Sequence, residues 1–156
     1  MHKMREFLEN GRLAPVAIGL SPDEVRQALG APPEVGGTPK QRIWKYGSMQ
    51  LGFLRDPALR TEVVSFIGLY FRSGSLDLPE VIGSGEWFPS SLATKEEVIR
   101  YLEDQDVPYS QDKRLTFETQ FALATPCGAS IIFDCSEGEG ILDSIQLLRE
   151  PKSCPL

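Results

Sequence analysis

The sequence predicts an α+β protein in which two diverged units, each a helix followed by three antiparallel strands, build one sheet with the helices on one face. Three observations predict it. Ser21-Pro-Asp-Glu-Val-Arg-Gln-Ala-Leu-Gly30 is a short helix with both ends written into it: Ser21 is the N-cap, Pro22 stands where a missing N–H costs nothing, Glu24 completes a capping box, and Gly30 is the stop. The same pattern returns at Thr94-Lys-Glu-Glu-Val-Ile-Arg-Tyr-Leu102, with Thr94 for Ser21, Glu97 for Glu24, Val98 for Val25 and Leu102 for Leu29. Finally, the strand-like runs that follow the two helices align, Val63, Ile67 and Leu69 falling on Ile141, Ile145 and Leu147, and Phe53 on Phe133.

In chain order, residues 3–10 read as a helix with Met4, Phe7 and Leu8 on one side, closed by Asn10-Gly11. Residues 13–18 are an apolar lead-in to the capped helix. Ala31–Lys40 is dense in proline and glycine and is expected to form a loop without regular structure. Ile43–Tyr46 and Met49–Phe53 read as a hairpin turning at Gly47-Ser48, Asp56–Arg60 as its outer loop, and Val63–Phe71 as a long third strand. After the second helix, at about 94–105, alternation over Leu115–Leu123 predicts a half-buried strand. Ser130–Asp134 and Ile141–Leu148 follow, joined by the loop Ser136-Glu-Gly-Glu-Gly140. The organisation is residues 1–77 as first unit, 78–93 as connection, 94–150 as second unit and 151–156 as tail, within one body. On the third strand Val63, Ile67 and Leu69 are assigned to the helix-covered face, leaving Val64, Phe66 and Tyr70 opposite, with Leu142, Ser144 and Leu148 as their counterparts. A sheet covered on one side leaves its other face wet. Trp44, Tyr46, Trp87 and Phe88 are assigned to the core.

Of the 156 residues 41% are hydrophobic and 24% charged, the composition of a folded soluble domain, and no apolar run is long enough to span a bilayer. The acidic residues of the N-terminal stretch interrupt any secretory signal, so a cytoplasmic location is expected. Charge is uneven. Residues 1–77 hold 10 Lys and Arg against 8 Asp and Glu, whereas residues 78–150 hold 5 against 14. The second half is therefore an acidic surface, suited to solubility or to a basic partner, and no basic stripe serves nucleic acid. Cys127, Cys135 and Cys154 follow no zinc spacing and are expected to be reduced.

Catalytic signatures are sparse. The single histidine, His2, sits at the terminus, which removes triads and histidine-ligated metals. The Gly-Ser-Gly at 83–85 is not a phosphate loop, because no strand precedes it and no helix follows in register. Carboxylates alternate through Asp134-Cys-Ser-Glu-Gly-Glu-Gly140 without the spacing of a calcium loop, so no metal and no cofactor is expected. Glu103, Asp104 and Asp106 oppose the dipole at the end of the second helix, a mild cost that suits either a role or tolerance.

The pattern Gly-Leu-Ser-Pro-Asp-Glu-Val-x-x-x-Leu-Gly-x-Pro, followed by Trp44-x-Tyr46-Gly47 and Leu51-x-Phe53, resembles the repeat unit of proteins built like the β-lactamase inhibitor protein and the small outer-membrane lipoproteins of the barrel-assembly machinery. It is more similar to cytosolic bacterial proteins placed with immunity proteins of toxin systems, which carry two diverged copies. The chain lacks the inhibitor's disulfide pattern and the lipoproteins' lipidation signal. The resemblance implies a concave sheet that grips another protein.

The expectation is a non-enzymatic module that binds another protein, such as a basic toxin domain, as its immunity partner. The contact residues would be Phe66, Tyr70, Glu118, Gln120, Asp134, Glu137, Glu139, Asp104 and Asp106. The other readings are a small enzyme or ligand-binding domain with carboxylates in a groove between the units, and an assembly subunit that covers its open face by dimerising. The chain is accordingly expected to be a monomer or a homodimer.

Overall fold

In the computed structural model the described residues are 3–71, 76–83 and 93–149. His2, Trp87, Phe88, Cys154, the tail and most of the Gly-Ser-Gly lie outside them. Lys3–Asn10 forms helix α1, whose Met4, Phe7 and Leu8 are fully buried. The lead-in is a miniature hairpin, β1 (Arg12–Leu13) with β2 (Val16–Ala17).

Helix α2 (Pro22–Leu29) is held by the predicted capping box: the Glu24 N–H donates to Ser21 Oγ at 3.1 Å and the Ser21 N–H donates to Glu24 Oε1 at 2.9 Å. Gly30, at φ +83°, ends it, and the Tyr46 hydroxyl donates to the Gly30 carbonyl at 2.9 Å, which ties the helix stop to the sheet. Helix α3 (Glu80–Gly83) is one turn long. Helix α4 (Lys95–Asp104) repeats the box, with Thr94 Oγ1 accepting from the Glu97 N–H at 3.2 Å and Glu97 Oε1 from the Thr94 N–H at 2.9 Å. The Glu97 carboxylate accepts from the Thr94 N–H and also from the Thr94 hydroxyl, at 3.2 Å, and these two bonds, the backbone one first, hold it below its ordinary pKa. Ser21→Ala and Thr94→Ala are each expected to cost about 1 kcal/mol of unfolding free energy, and glycine in either place only a few tenths, checked by urea denaturation.

The strands are β3 (Glu34–Gly37), β4 (Arg42–Tyr46), β5 (Met49–Asp56), β6 (Thr61–Tyr70), β7 (Ser110–Gln111), β8 (Gln120–Ala124), β9 (Ala129–Asp134) and β10 (Ile141–Leu148). They form one antiparallel sheet of eight in the order β3-β4-β5-β6-β10-β9-β8-β7. Each half of the chain thus contributes four strands to the sheet where three were expected, because an edge strand is added on each side. The proline- and glycine-rich segment expected as loop contributes β3, which an outer edge tolerates since no further strand needs its N–H groups. The strand expected from Leu115 begins only at Gln120: a 3₁₀ turn over Lys113–Leu115, capped by Asp112, precedes it, and Phe117 is exposed.

The four helices among the described residues and the inward sheet face share one core. Val25, Ile82, Val98 and Leu102 join Phe7, Trp44, Leu51, Phe53, Ile67, Leu69, Phe133, Ile145 and Leu147 in a single buried cluster. Trp44 and Tyr46 belong to it as expected.

Two bulges correct the assignment of faces. In β6 the register passes from Gly52↔Phe66 to Phe53↔Val64, which leaves Ser65 without an opposite number; in β10 it passes from Leu142↔Phe133 to Ser144↔Ile132, which leaves Asp143 likewise. One extra residue reverses alternation beyond it. Val64 and Leu142, expected on the open face, therefore point into the core, at 0% and 2% exposure, while Val63, assigned to the helix-covered face, pairs with Leu54 outside the main cluster although it too is buried. Each bulge carbonyl still has a donor: Ser65 O accepts from the Arg149 N–H and Asp143 O from the Phe71 N–H, both at 2.9 Å.

Candidate functional site

Among the described residues, two cavities open on the sheet face away from the helices. The first, of about 270 Å³, opens over β4, β5 and β6 beside the Ser65 bulge. Its far-face residues are Gln41, Ile43, Gln50, Leu54, Phe66, Tyr70 and Leu148, with Gly52 as floor. Phe66 stands opposite Gly52 in the ladder, and a Cβ on Gly52 would meet Phe66 Cβ at 3.0 Å, so the ring fits because the glycine is bare. Phe66 and Tyr70 also close over Gly68, whose missing Cβ would lie 2.8 Å and 2.9 Å from their ring atoms. Leu148 is 65% exposed and Phe66 and Tyr70 are half-buried, so this groove presents apolar surface to solvent.

The second cavity, of about 590 Å³, opens at the Asp143 bulge. Gln120, Ile132, Asp134 and Ile141 line it from the sheet, and Ser136, Glu137 and Glu139 from the β9–β10 loop. Four carboxylates, those of Asp134, Glu137, Glu139 and Asp143, thus share one cavity beside the aliphatic Ile141, which is 40% exposed. The loop conformation is set locally, Asp134 Oδ1 accepting from the Ser136 N–H at 2.9 Å and Gly138 taking φ +115°.

Of the nine residues predicted from sequence, Gln120, Asp134, Glu137 and Glu139 meet in the acidic cavity, and Phe66 and Tyr70 in the apolar groove. Glu118 is exposed beside the cavity residue Thr119 and does not line it. Asp104 and Asp106 are not part of this surface. They end α4, which packs on the opposite face, where Glu103 accepts from the Tyr109 hydroxyl at 2.8 Å and thereby raises the tyrosine's pKa. Asp106 takes φ +56°, the left-handed turn that ends the helix. The face expected to be wet is only partly so, since Ser144 is 0% and Ile132 8% exposed between the two cavities.

Asp143, Ile132, Leu54, Ile43 and Leu148 were not among the expected contact residues. Asp143 had a signal: a carboxylate inside Ile141-Leu-Asp-Ser-Ile145 is out of place in a regular buried strand and marks the bulge. Leu148 was already assigned to the open face, and the others depend on which residues the pairing turns outward. Both Cys127 and Cys135 are free thiols, and Cys127 Sγ donates to the Leu8 carbonyl at 3.1 Å. Among the described residues no group of three or more His, Cys, Asp or Glu side chains is placed to hold a metal ion, and no helix is long and apolar enough to cross a membrane.

Comparison with protein-family models, with curated proteins and with solved structures finds no match to this chain.

Proposed function

We propose that the chain is a protein-binding module made of two copies of one helix-and-strand unit, and that the far face of the sheet is its contact surface. The observation that carries this reading is the pair of cavities on that face, one apolar and one acidic, beside a 65%-exposed Leu148 at the central seam. Exposed aliphatic and aromatic groups beside polar ones are the composition of an interface core and its rim. The acidic second half suits an inhibitor or immunity protein that is steered onto a basic toxin surface in the cytoplasm.

The two-copy reading draws on the registers. The seam pairs Tyr70↔Ser144 and Phe66↔Leu148 at its ends and Gly68↔Gln146 at its centre, so exchanging the aligned residues of β6 and β10 maps the seam onto itself. Both bulges fall at aligned positions. Likewise the Val64 N–H donates to Leu20 O and the Leu142 N–H to Ala93 O, both at 2.8 Å, with Leu20 and Ala93 each one residue before an N-cap.

A small-ligand or catalytic use is the second reading, favoured by the four carboxylates that line one cavity, to which Phe71 of the first half also contributes. The test is affinity capture from the native cell with the wild-type chain, with Leu148→Asp, and with Val35→Asp, which alters a 60%-exposed residue on the remote β3 edge. A partner retained by wild type and Val35→Asp and lost with Leu148→Asp is the expected result. Equal capture by all three would remove the far face from the account.

A further inference from the structure

The hairpin of β5 and β6 reaches past both of its neighbours. On one side β4 follows β5 only to the Ile43↔Gly52 pair. On the other, β10 follows β6 only to Leu148↔Phe66, after which the Arg149 N–H takes up Ser65, and Gly19 and Leu20 take up Val64. The last two pairs of the hairpin, Arg55↔Glu62 and Asp56↔Thr61, and the turn Pro57–Arg60 therefore have no strand beside them among the described residues, and every residue of the turn is exposed. The arm is nevertheless built to hold one shape. Asp56 Oδ1 accepts from the Ala58 N–H at 2.8 Å and from the Leu59 N–H at 3.3 Å, and the Asp56 carbonyl accepts from the Arg60 N–H at 2.8 Å. At its root Arg42 of β4 makes a two-point ion pair with Glu62, donating from Nε at 3.2 Å and from a second nitrogen, while its guanidinium lies 5.9 Å from the centre of the Phe53 ring.

The side chains at the tip play no part in that scaffold. Leu59 is 63% exposed. Arg60 holds φ +56°, one of two non-glycine residues with positive φ among those described, at a turn position where glycine is at ease. Strain kept for a particular side chain points to use of that side chain. Asp56 is engaged by the turn and Glu62 by Arg42, and no described carboxylate pairs with Arg55 or Arg60. The tip thus presents one aliphatic group and two cations on a chain whose net charge is −6. A convex tip cannot enclose a small ligand. Two arginines are too few to hold nucleic acid, and one leucine is too little apolar surface to anchor a net-acidic chain on a bilayer. Resting on the protein-binding reading above, we propose that the arm is a second contact element of the module: Leu59 enters an apolar pocket of the partner protein whose rim carries carboxylates opposite Arg55 and Arg60. A basic rim would set like charges together at short range. The same partner reaches the far face, because Leu54, which lines the apolar groove there, lies in the same strand, and the tip stands about 10 Å beyond it at about 3.3 Å per residue, within one standard interface. An arm that already holds its shape in the free chain loses little freedom on docking.

Photocrosslinking in the native cell tests this, with benzoylphenylalanine placed in the full chain at Leu59, at Leu148 or at Val35. One protein is expected to be crosslinked from Leu59 and from Leu148 and not from Val35, with the Leu59 adduct mapping by mass spectrometry to an apolar segment that has Asp or Glu close by. Affinity for that protein, purified and titrated by calorimetry, should fall about ten-fold with Leu59→Asp and about five-fold with Arg60→Gly, the latter with a shallower salt dependence. Arg60→Gly separates contact from scaffold: it relieves the left-handed strain, so its melting temperature should stay at or above that of the wild type while binding weakens. A partner crosslinked from Leu148 alone, or bound equally by Arg60→Gly and wild type, overturns the arm and leaves the far face standing. Leu59 adducts to lipid or nucleic acid overturn the arm as a protein contact. A protein adduct from Leu59 alone overturns the far face and the shared partner with it, and no adduct from either position overturns both readings.

Discussion

Phe133→Ala is expected to lower the unfolding free energy by about 3–5 kcal/mol, and Phe53→Ala to do the same. Both rings are fully buried, at 0% and 1% exposure, and each removes a large volume from a position that backbone on both sides holds rigid. Phe53 packs edge-on against Trp44, with centroids 4.8 Å apart, and Phe133 lies 6.1 Å from Phe121, so each truncation also removes an aromatic contact. The expected form of the loss is as informative as its size. Phe53 belongs to the first half and Phe133 to the second, yet both sit in the same buried cluster, and the β6–β10 ladder runs unbroken between them. Urea unfolding followed by tryptophan fluorescence and by far-ultraviolet circular dichroism should therefore remain one coincident transition for both variants. Separate transitions, with Phe133→Ala shifting only one, would show two independently folding halves.

Gly47→Ala is expected to cost about 2–3 kcal/mol, read as a lower urea midpoint with an unchanged slope. Gly47 opens the two-residue loop between Tyr46 and Met49 at φ +63°, the left-handed conformation that such hairpin loops require. A methyl group there would also lie 2.5 Å from the Asp77 carbonyl oxygen, a backbone atom that cannot swing aside. Asp77 is fixed because its carbonyl accepts from the Ser48 N–H at 2.7 Å and its own N–H donates to Ser48 Oγ at 2.9 Å. The substitution thus strains the turn and breaks the clamp that brings residues 76–79 onto the β4–β5 hairpin. Gly30, at φ +83° and ψ −177°, lies where glycine alone is at ease, so Gly30→Ala carries backbone strain of its own although no heavy atom lies within 4 Å of the added methyl. An unchanged urea midpoint for Gly47→Ala would mean that neither the turn nor the Asp77 contact limits the fold.

Local chemistry accounts for what could be read from the chain alone. The capped helices α2 and α4, the hairpin at Gly47-Ser48, the strands β9 and β10 and the core roles of Trp44 and Tyr46 were legible because neighbouring residues carry their own signals. A Ser or Thr three positions before Glu satisfies orphan N–H groups whatever surrounds it, and alternation marks a half-buried strand wherever pairing is regular. The same cues place the acids of the β9–β10 loop close together, since Asp134, Glu137 and Glu139 are near in sequence as well as in space.

Tertiary structure decided the rest. Glu34–Gly37 becomes a strand only because β4 offers it a partner, which overrides the poor strand propensity of two glycines. The bulges at Ser65 and Asp143 arise from cross-strand register, and a single unpaired residue reverses every inside and outside assignment on one side of it. For that reason alternation counted along the chain misplaced Val64 and Leu142, and Asp104 and Asp106 were grouped with acids that the sheet puts on its other face. Periodicity within one strand determines which residues alternate. Which face each series occupies, and hence where an apolar groove and an acidic cavity open side by side, depends on pairings between residues up to about eighty positions apart, as between Phe66 and Leu148.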